Sequence, residues 1–443
     1  MSSTALDDAG RRERELQRAL RDAMDEHRSV GAVSAWWNGR DLVTAAEGVV
    51  ELGRPDAVTD ETLFALGSVT KLFTAFIILQ LVDEGALTLD DRVIDRIPEF
   101  RYTTPGVAER VLVRQLLTHS GGTPDGFFAA DSVAEILAVI ADQPALCEPG
   151  AIGSYSNIGY ALLGEIIERA TGKPYLQNVQ ERLLDPLGLT RSRALTPEIR
   201  ALGAPDHRTD PATGELQIAD MWPRVGDGMV AAGSTFYSSA PELALIVAAL
   251  STGQNPTAPG APRMLSEELV AEALHRHVAL PGIGLIAKGL GLGWLHPRQP
   301  EGRRVVSHGG GTSIVVFVDL DSGDVVVTAT NFDEGEQVGG RVARAVIGAP
   351  STPPAPTDRP SDAATLSRVT GRWGVGPLEN TIRLDGDRLV MELMGESVRL
   401  IEVDPQTFLL TASGLHLDLV LLPGRTSAED WIHLAGRALE RRS

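Results

Sequence analysis

The chain has 443 residues, of which 43% are hydrophobic, enough to bury a large core and to form more than one domain. Its formal net charge of −19 argues against nucleic acid and against anionic membrane surfaces as partners. The single cysteine, Cys147, excludes an internal disulfide, and its ordinary interpretation is a small apolar side chain.

The N-terminal segment predicts a charged surface helix rather than a secretion signal. Leu16, Leu20 and Met24 mark one side of a segment that is otherwise rich in charge. No apolar signal-peptide core accompanies these charges, so we expect a cytoplasmic protein. Two short apolar runs then flank Asn38-Gly39, which predicts two strands joined by a two-residue hairpin turn.

The apolar run between Gly67 and Gly85 predicts a buried helix, because its hydrophobic residues cover every helical face. The run is too short and too interrupted for a membrane span. Ser68 and Lys71 share one face of its first turn, because they are three residues apart. They provide a nucleophile beside a possible base, next to backbone N–H groups that could hold an oxyanion. For an arbitrary helix, the alternative is that Ser68 caps the helix and Lys71 reaches solvent.

The remainder of the chain divides into a helical middle and two strand-rich regions. Helices are predicted over residues 132–140 and 157–170, and successive strands follow from about residue 290. Strands at both ends of a helical middle predict one sheet assembled from distant segments. We therefore expect a catalytic domain over residues 1–348, a proline-rich linker over 349–362 and an antiparallel barrel-like domain over 363–443.

Two further motifs follow the Ser68 helix. Tyr155-Ser-Asn157 stands just before a predicted helix, and His308-Gly-Gly-Gly-Thr312 lies at the end of a predicted strand. Alone, each has a structural interpretation: a half-buried tyrosine, a helix cap and a strand histidine. Neither a metal-ligand spacing nor a nucleotide-binding glycine pattern is present in the sequence, so no cofactor is expected.

In this order, the three motifs resemble those of the serine β-lactamase and penicillin-binding-protein-like hydrolases, on the class C β-lactamase side. The resemblance covers roughly residues 15–345. It implies an α+β fold of the β-lactamase/transpeptidase type, in which an antiparallel sheet has flanking helices and a helical region. The C-terminal region would add a small all-β, lipocalin-like barrel.

The resemblance also implies roles for the first two motifs. Ser68 would attack a carbonyl and form an acyl-enzyme. Lys71 and Tyr155 would share the general-base and general-acid work, with Lys71 supplying the cation that a basic Tyr155 needs. Asn157 would hydrogen-bond Lys71 and the substrate amide.

The third motif would complete the site. The backbone N–H groups of Ser68 and Gly311 would form the oxyanion hole. His308 would orient Tyr155 or bind a substrate carboxylate, with a charge that responds to pH near neutrality. The remaining residues of the motif would bind substrate: Gly309, Gly310 and Thr312.

Three functions remain open at this point. The first is a serine acyl hydrolase or acyltransferase acting on esters, amides or thioesters of small molecules or D-amino-acid-containing peptides. The second resembles penicillin-binding-protein-type thioesterases, which macrocyclise a nonribosomal peptide taken from a carrier protein. The third is a catalytically silent acyl-binding sensor. The third motif is not Lys-Thr-Gly, which argues against efficient β-lactam hydrolysis. The expected partners are acyl substrates, without nucleic acid or membrane.

Overall fold

The structure is a computed structural model. It describes residues 3–125, 130–194, 202–210, 213–219, 226–233, 236–282, 287–298, 302–311, 313–333, 335–349, 362–375, 378–386, 388–393, 396–404, 406–412, 415–422, 430–434 and 436–442.

The α-helices are labelled α1 to α12 in chain order. They span Ser3–His27, Thr70–Asp83, Val93–Arg96, Val113–Leu117, Val133–Ala141, Asn157–Thr171, Tyr175–Val179, Asp185–Leu187, Ala240–Thr252, Glu267–Leu274, Gly335–Ile347 and Ala363–Val369. Shorter 3₁₀ turns and one π turn span Gly67–Val69, Ala108–Arg110, Asp227–Met229 and Gln180–Leu184.

The strands are labelled β1 to β21 in chain order. They span Gly31–Trp37, Leu42–Gly48, Phe64–Ala65, Arg193–Ala194, Asp206–Thr209, Leu216–Ala219, Phe236–Ser238, Val278–Ala279, Gly289–Leu290, Leu295–His296, Val305–Gly310, Ile314–Asp319, Val325–Thr330, Gly371–Val375, Leu378–Asp385, Arg388–Leu393, Glu396–Asp404, Thr407–Ala412, Leu415–Leu422, Trp431–Leu434 and Arg437–Arg442.

The central sheet is built from both ends of the catalytic region, as the strand pattern predicts. Its eight strands run in the order β2-β1-β13-β12-β11-β10-β9-β8, and every neighbouring pair is antiparallel. One cluster of buried residues joins α1, α11 and one face of the sheet. A larger cluster joins α2, α6 and α9 to the other face. The predicted α+β fold with flanking helices is confirmed.

Helix α2 runs through the larger core. All its residues from Thr70 to Leu79 are buried, as its all-round apolar pattern predicts. The 3₁₀ turn Gly67–Val69 precedes it, and Gly85 follows it with a left-handed φ of 74°. Among the described residues, none of the helices combines the length and hydropathy required to cross a membrane.

The β1–β2 hairpin differs from its prediction in loop length. Trp37 pairs with Leu42, so four residues rather than two connect the strands. The Asn38 side chain explains the difference, because its Oδ1 accepts hydrogen bonds from the backbone N–H groups of Arg40 and Asp41, at 3.1 and 2.7 Å. This side chain closes a longer turn than the Asn-Gly pair alone would form.

The C-terminal strands β14 to β21 form a closed antiparallel barrel, which confirms the predicted all-β region. Trp373 and Phe408 lie in its core, fully buried. The predicted linker lies outside the described residues except for Ala349 and Asp362, so the domain boundaries remain predictions.

The turn between β20 and β21 packs against the catalytic region. The carbonyl of Gly436 accepts a hydrogen bond from the backbone N–H of Tyr155 at 2.8 Å. The backbone N–H of Ala438 donates to Ser154 Oγ at 3.1 Å. These bonds hold a barrel turn directly beside the second sequence motif.

Candidate active site

The start of α2 lies against the end of β11. Gly67 has a left-handed φ of 47°, and a Cβ atom there would approach the backbone nitrogen of Gly311 to 3.0 Å. A side chain would force these segments apart, which explains the glycine. The backbone N–H groups of Ser68 and Gly311 are thereby brought into the same region, as expected for an oxyanion hole.

Lys71 is fully buried, and three oxygen atoms of the described residues lie within hydrogen-bonding distance of its Nζ. Its Nζ lies 2.7 Å from Asn157 Oδ1, within hydrogen-bonding distance of the Ala232 carbonyl, and 3.2 Å from Ser68 Oγ. The two carbonyl oxygens can only accept hydrogen bonds. A neutral amine has two N–H groups and one lone pair, so donation to both carbonyls leaves the lone pair for the Ser68 hydroxyl.

The electrostatics favour that neutral amine. Burial lowers the pKa of Lys71 from 10.5 to about 7. The carboxylate of Asp125 opposes this change, and the guanidinium of Arg437 adds to it. A base whose pKa lies near the ambient pH is well suited to proton transfer.

Tyr155 lies beside the same serine. Its phenol is hydrogen-bonded to Ser68, and its ring centroid lies 4.8 Å from Lys71 Nζ and 4.9 Å from Arg437 Cζ. Burial raises the pKa of Tyr155 and outweighs the lowering by Ser68 and Arg437. The expectation that Lys71 would make Tyr155 a basic phenolate is therefore wrong, because burial keeps the phenol protonated.

Asp125 connects the second motif to the barrel. Its Oδ1 accepts hydrogen bonds from the backbone N–H and Nδ2 of Asn157, at 2.7 and 3.3 Å. Its Oδ2 accepts a hydrogen bond from Arg437 Nε at 2.7 Å. The Asn157 amide is thereby oriented with Oδ1 toward Lys71. A continuous polar chain runs from the barrel through Asp125 and Asn157 to Lys71 and Ser68.

His119 supports the Tyr155 ring. The two rings stack with centroids 4.4 Å apart, and His119 Nδ1 accepts a hydrogen bond from the backbone N–H of Ser156 at 3.0 Å. Burial and the nearby Lys71 lower the pKa of His119 well below 6.5, so the imidazole is neutral. His119 is not among the described residues that line the cavity, so it contacts Tyr155 from outside the cavity.

His308 is buried next to the cavity. Its Nδ1 lies 2.8 Å from the Gly309 carbonyl, which can only accept, so Nδ1 carries the proton. Burial and Lys71 lower the pKa of His308 to about 3, which contradicts the expected titration near neutrality. Its Nε2 has no hydrogen-bond partner among the described residues.

The glycines of the third motif serve different purposes. Gly309 lines the cavity, and a Cβ atom there would lie 2.1 Å from Glu336 Oε1. Gly310 does not line it, because a Cβ atom there would point inward and lie 2.0 Å from the Leu66 carbonyl. The expectation that Gly310 contacts substrate is corrected to a packing role. Thr312 lies outside the described residues.

The cavity at Ser68 has a volume of about 260 Å³. One wall is apolar and consists of Leu280, Ala287, Leu290 and Leu295. The polar side is formed by Ser68, Tyr155, Asn157, His308, Gly309, Gly311, Glu336, Gly436 and Arg437. The barrel therefore contributes part of the wall.

The sequence motifs did not identify three charged residues of this site. Asp125 lies in a loop, Glu336 stands in the first turn of α11, and Arg437 begins the last barrel strand. None stands in a recognisable motif, and only their distance in space to Lys71 or Tyr155 assigns them to the site. The part of the chain that the structure describes contains no His, Cys, Asp and Glu group suited to a metal ion.

Comparison with known proteins identifies the family. Penicillin-binding protein 4 of Amycolatopsis lactamdurans is 32% identical over 377 residues, covering 80% of this chain and 96% of that protein. The crystal structure of SurE has a TM-score of 0.77 at 24% identity, covering 98% of this chain and 100% of SurE. A D-stereospecific amidohydrolase from Streptomyces sp. has a TM-score of 0.59 at 25% identity, covering 76% of this chain and 99% of that protein. Residues 16–349 match the Beta-lactamase family, and the chain belongs to it.

Proposed function

We propose that this protein is a serine acyl hydrolase or acyltransferase that works through an acyl-enzyme on Ser68. The contact between Ser68 Oγ and Lys71 Nζ, at 3.2 Å, carries this proposal. Burial lowers the pKa of Lys71 to about 7, so the lysine can act as a base near neutral pH. A serine with an adjacent buried base is an activated nucleophile.

The proposed acylation has three proton transfers. Neutral Lys71 accepts the hydroxyl proton of Ser68 as Oγ bonds to the substrate carbonyl carbon. The oxyanion is held by the N–H groups of Ser68 and Gly311, each contributing about 3–4 kcal/mol. Protonated Tyr155 then donates to the leaving group, and Lys71 returns the proton to the phenol. Water or an amine resolves the acyl-enzyme.

The proposed substrates are esters, amides or thioesters of small molecules or of D-amino-acid-containing peptides. The apolar cavity wall suits an acyl group with a hydrophobic side chain. The likeness to a D-stereospecific amidohydrolase favours acyl donors with D configuration.

A second candidate is acyl transfer to an amine, including macrocyclisation of a peptide delivered by a carrier protein. The barrel turn favours this candidate, because Gly436 and Arg437 cover part of the cavity. Partial cover limits access of water to the acyl-enzyme. A peptidyl thioester tests this directly: a cyclic product supports aminolysis, and only linear acid supports hydrolysis.

Labelling with a fluorophosphonate, followed by peptide mapping, tests the main proposal. We expect one stoichiometric adduct on Ser68 and none in Ser68→Ala. A p-nitrophenyl ester should then show a burst followed by steady turnover. Absence of an adduct would overturn the proposal, and a lasting acyl adduct without turnover would indicate an acyl-binding sensor instead.

A further inference from the structure

Glu336 is an acidic residue of the catalytic cavity to which the mechanism above gives no role. It stands in the first turn of α11 and lines the cavity together with Ser68 and His308. Its Oε1 occupies the position that a side chain on Gly309 would take, 2.1 Å from an ideal Cβ. The carboxylate therefore lies on the cavity side of β11, against the strand that leads to Gly311.

Among the described residues, no cation forms an ion pair with this carboxylate. Its oxygens make no hydrogen bond with any other described residue, and burial alone raises its pKa to about 7. Arg437 also lines the cavity, but its Nε donates a hydrogen bond to Asp125 Oδ2 at 2.7 Å. A partly buried carboxylate without a cation beside it is unfavourable in the empty site, and a cation brought by a ligand would relieve it.

The position of Glu336 also suits the binding of a substrate group that lies close to the reacting carbonyl. Gly309 and Gly311 are two residues apart, which corresponds to roughly 7 Å along an extended chain. The Glu336 carboxylate is near enough to Tyr155 to raise the pKa of that phenol. A substrate carbonyl held in the oxyanion hole would therefore place an ammonium that is one or two bonds from its carbonyl carbon beside this carboxylate.

We propose that Glu336 is a specificity-determining residue that binds an ammonium group on the acyl donor, next to the scissile carbonyl. This inference rests on the proposed function, because it assumes acylation of Ser68. The apolar wall formed by Leu280 and Leu290 then holds the hydrophobic side chain of the same substrate. The favoured donors are therefore esters or amides of apolar amino acids with a free amino group.

A structural role for Glu336 makes a different prediction. An acid in the first turn of a helix interacts favourably with the helix dipole. That role needs only a negative charge at α11. It predicts no difference between substrates with and without an amino group.

A matched pair of esters tests the inference. D-leucine methyl ester and methyl 4-methylpentanoate differ only by the amino group, and their hydrolysis can be followed by pH-stat titration at pH 7. We expect the wild type to prefer the amino ester by at least tenfold in kcat/KM. Glu336→Gln should reduce this preference at least tenfold, whereas Glu336→Asp should retain part of it. Equal use of both esters by the wild type would overturn the inference.

Two controls distinguish a failure of this inference from a failure of the proposed function. Fluorophosphonate labelling of the same wild-type sample reports Ser68 acylation independently of the esters, so labelled enzyme without amine preference contradicts only the role of Glu336. Competition needs no variant: D-leucinamide should compete with the amino ester at least tenfold better than 4-methylpentanamide. Equal competition by the two amides would contradict ammonium binding even if Glu336→Gln fails to fold.

Discussion

The ion pair between Arg437 and Asp125 allows a quantitative prediction of how much this contact of the barrel contributes to stability. Asp125 is 1% exposed, and 27% of the Arg437 side chain is exposed. Removing one partner of a buried pair costs about 3–5 kcal/mol, because the other charge stays buried without compensation. Since Arg437 keeps some exposure, we expect Arg437→Met to lower the free energy of unfolding by about 3 kcal/mol, the lower end of that range.

Urea unfolding followed by tryptophan fluorescence measures this loss in a double-mutant cycle. Arg437→Met combined with Asp125→Asn should lose less than the sum of the single changes, because the double variant leaves no unpaired charge. The matched control is Arg383→Met on the barrel surface, whose exposed pair with Glu392 should contribute less than about 1 kcal/mol. Additive losses, or an Arg437→Met loss no larger than the control, would refute the reasoning.

Three further predictions concern the lysine and the cavity wall. Arg437 lowers the pKa of Lys71, and Asp125 raises it. The acid limb of the pH profile of kcat/KM should therefore move to higher pH in Arg437→Met and to lower pH in Asp125→Asn. Shifts of both variants in the same direction would contradict this. Lys71→Met should abolish turnover and remove the contribution of the lysine to the pH dependence of stability. Between about pH 7 and 10.5 the unfolded wild type holds the lysine proton, and the folded wild type largely does not. The stability of the wild type relative to that variant should therefore rise by about 2 kcal/mol from pH 7 to 9; parallel urea profiles would disprove it. Gly309→Ala should displace the Glu336 carboxylate and reduce the amino-ester preference, and an unchanged preference would argue against that contact.

The sequence was sufficient to predict the elements that depend on local pattern. The Ser68 helix could be identified as buried because apolar residues cover all its faces, and the structure buries it from Thr70 to Leu79. The barrel could be identified from partly alternating strands separated by turn residues. Lys71 contacts both Ser68 and Asn157, which the combination of their motifs suggests.

The charge states of the site could not be derived from the sequence. Tyr155 and His308 were expected to titrate according to their neighbours, but burial dominates both pKa values. Burial depends on the tertiary packing around each residue, which a motif does not encode.

Asp125 and Arg437 show a second limit of prediction from the sequence. They are 312 residues apart, and neither has a local pattern that distinguishes it from a surface charge. Only the packing of the β20–β21 turn against the second motif joins them. The roles of Gly309 and Gly310 were similarly hidden, because the neighbours that explain each glycine come from α11 and from Leu66.

The proposed chemistry depends most on a neutral Lys71 near pH 7, and lysine-selective NMR measures that state directly. The chain contains only three lysines, Lys71, Lys173 and Lys288, so ε-¹³C-lysine labelling should give three resolvable signals, with Lys71→Met assigning the relevant one. We expect the Lys71 signal to titrate with a pKa of about 7. A Lys71 signal that stays protonated up to its ordinary pKa of 10.5 would contradict its role as the base for Ser68.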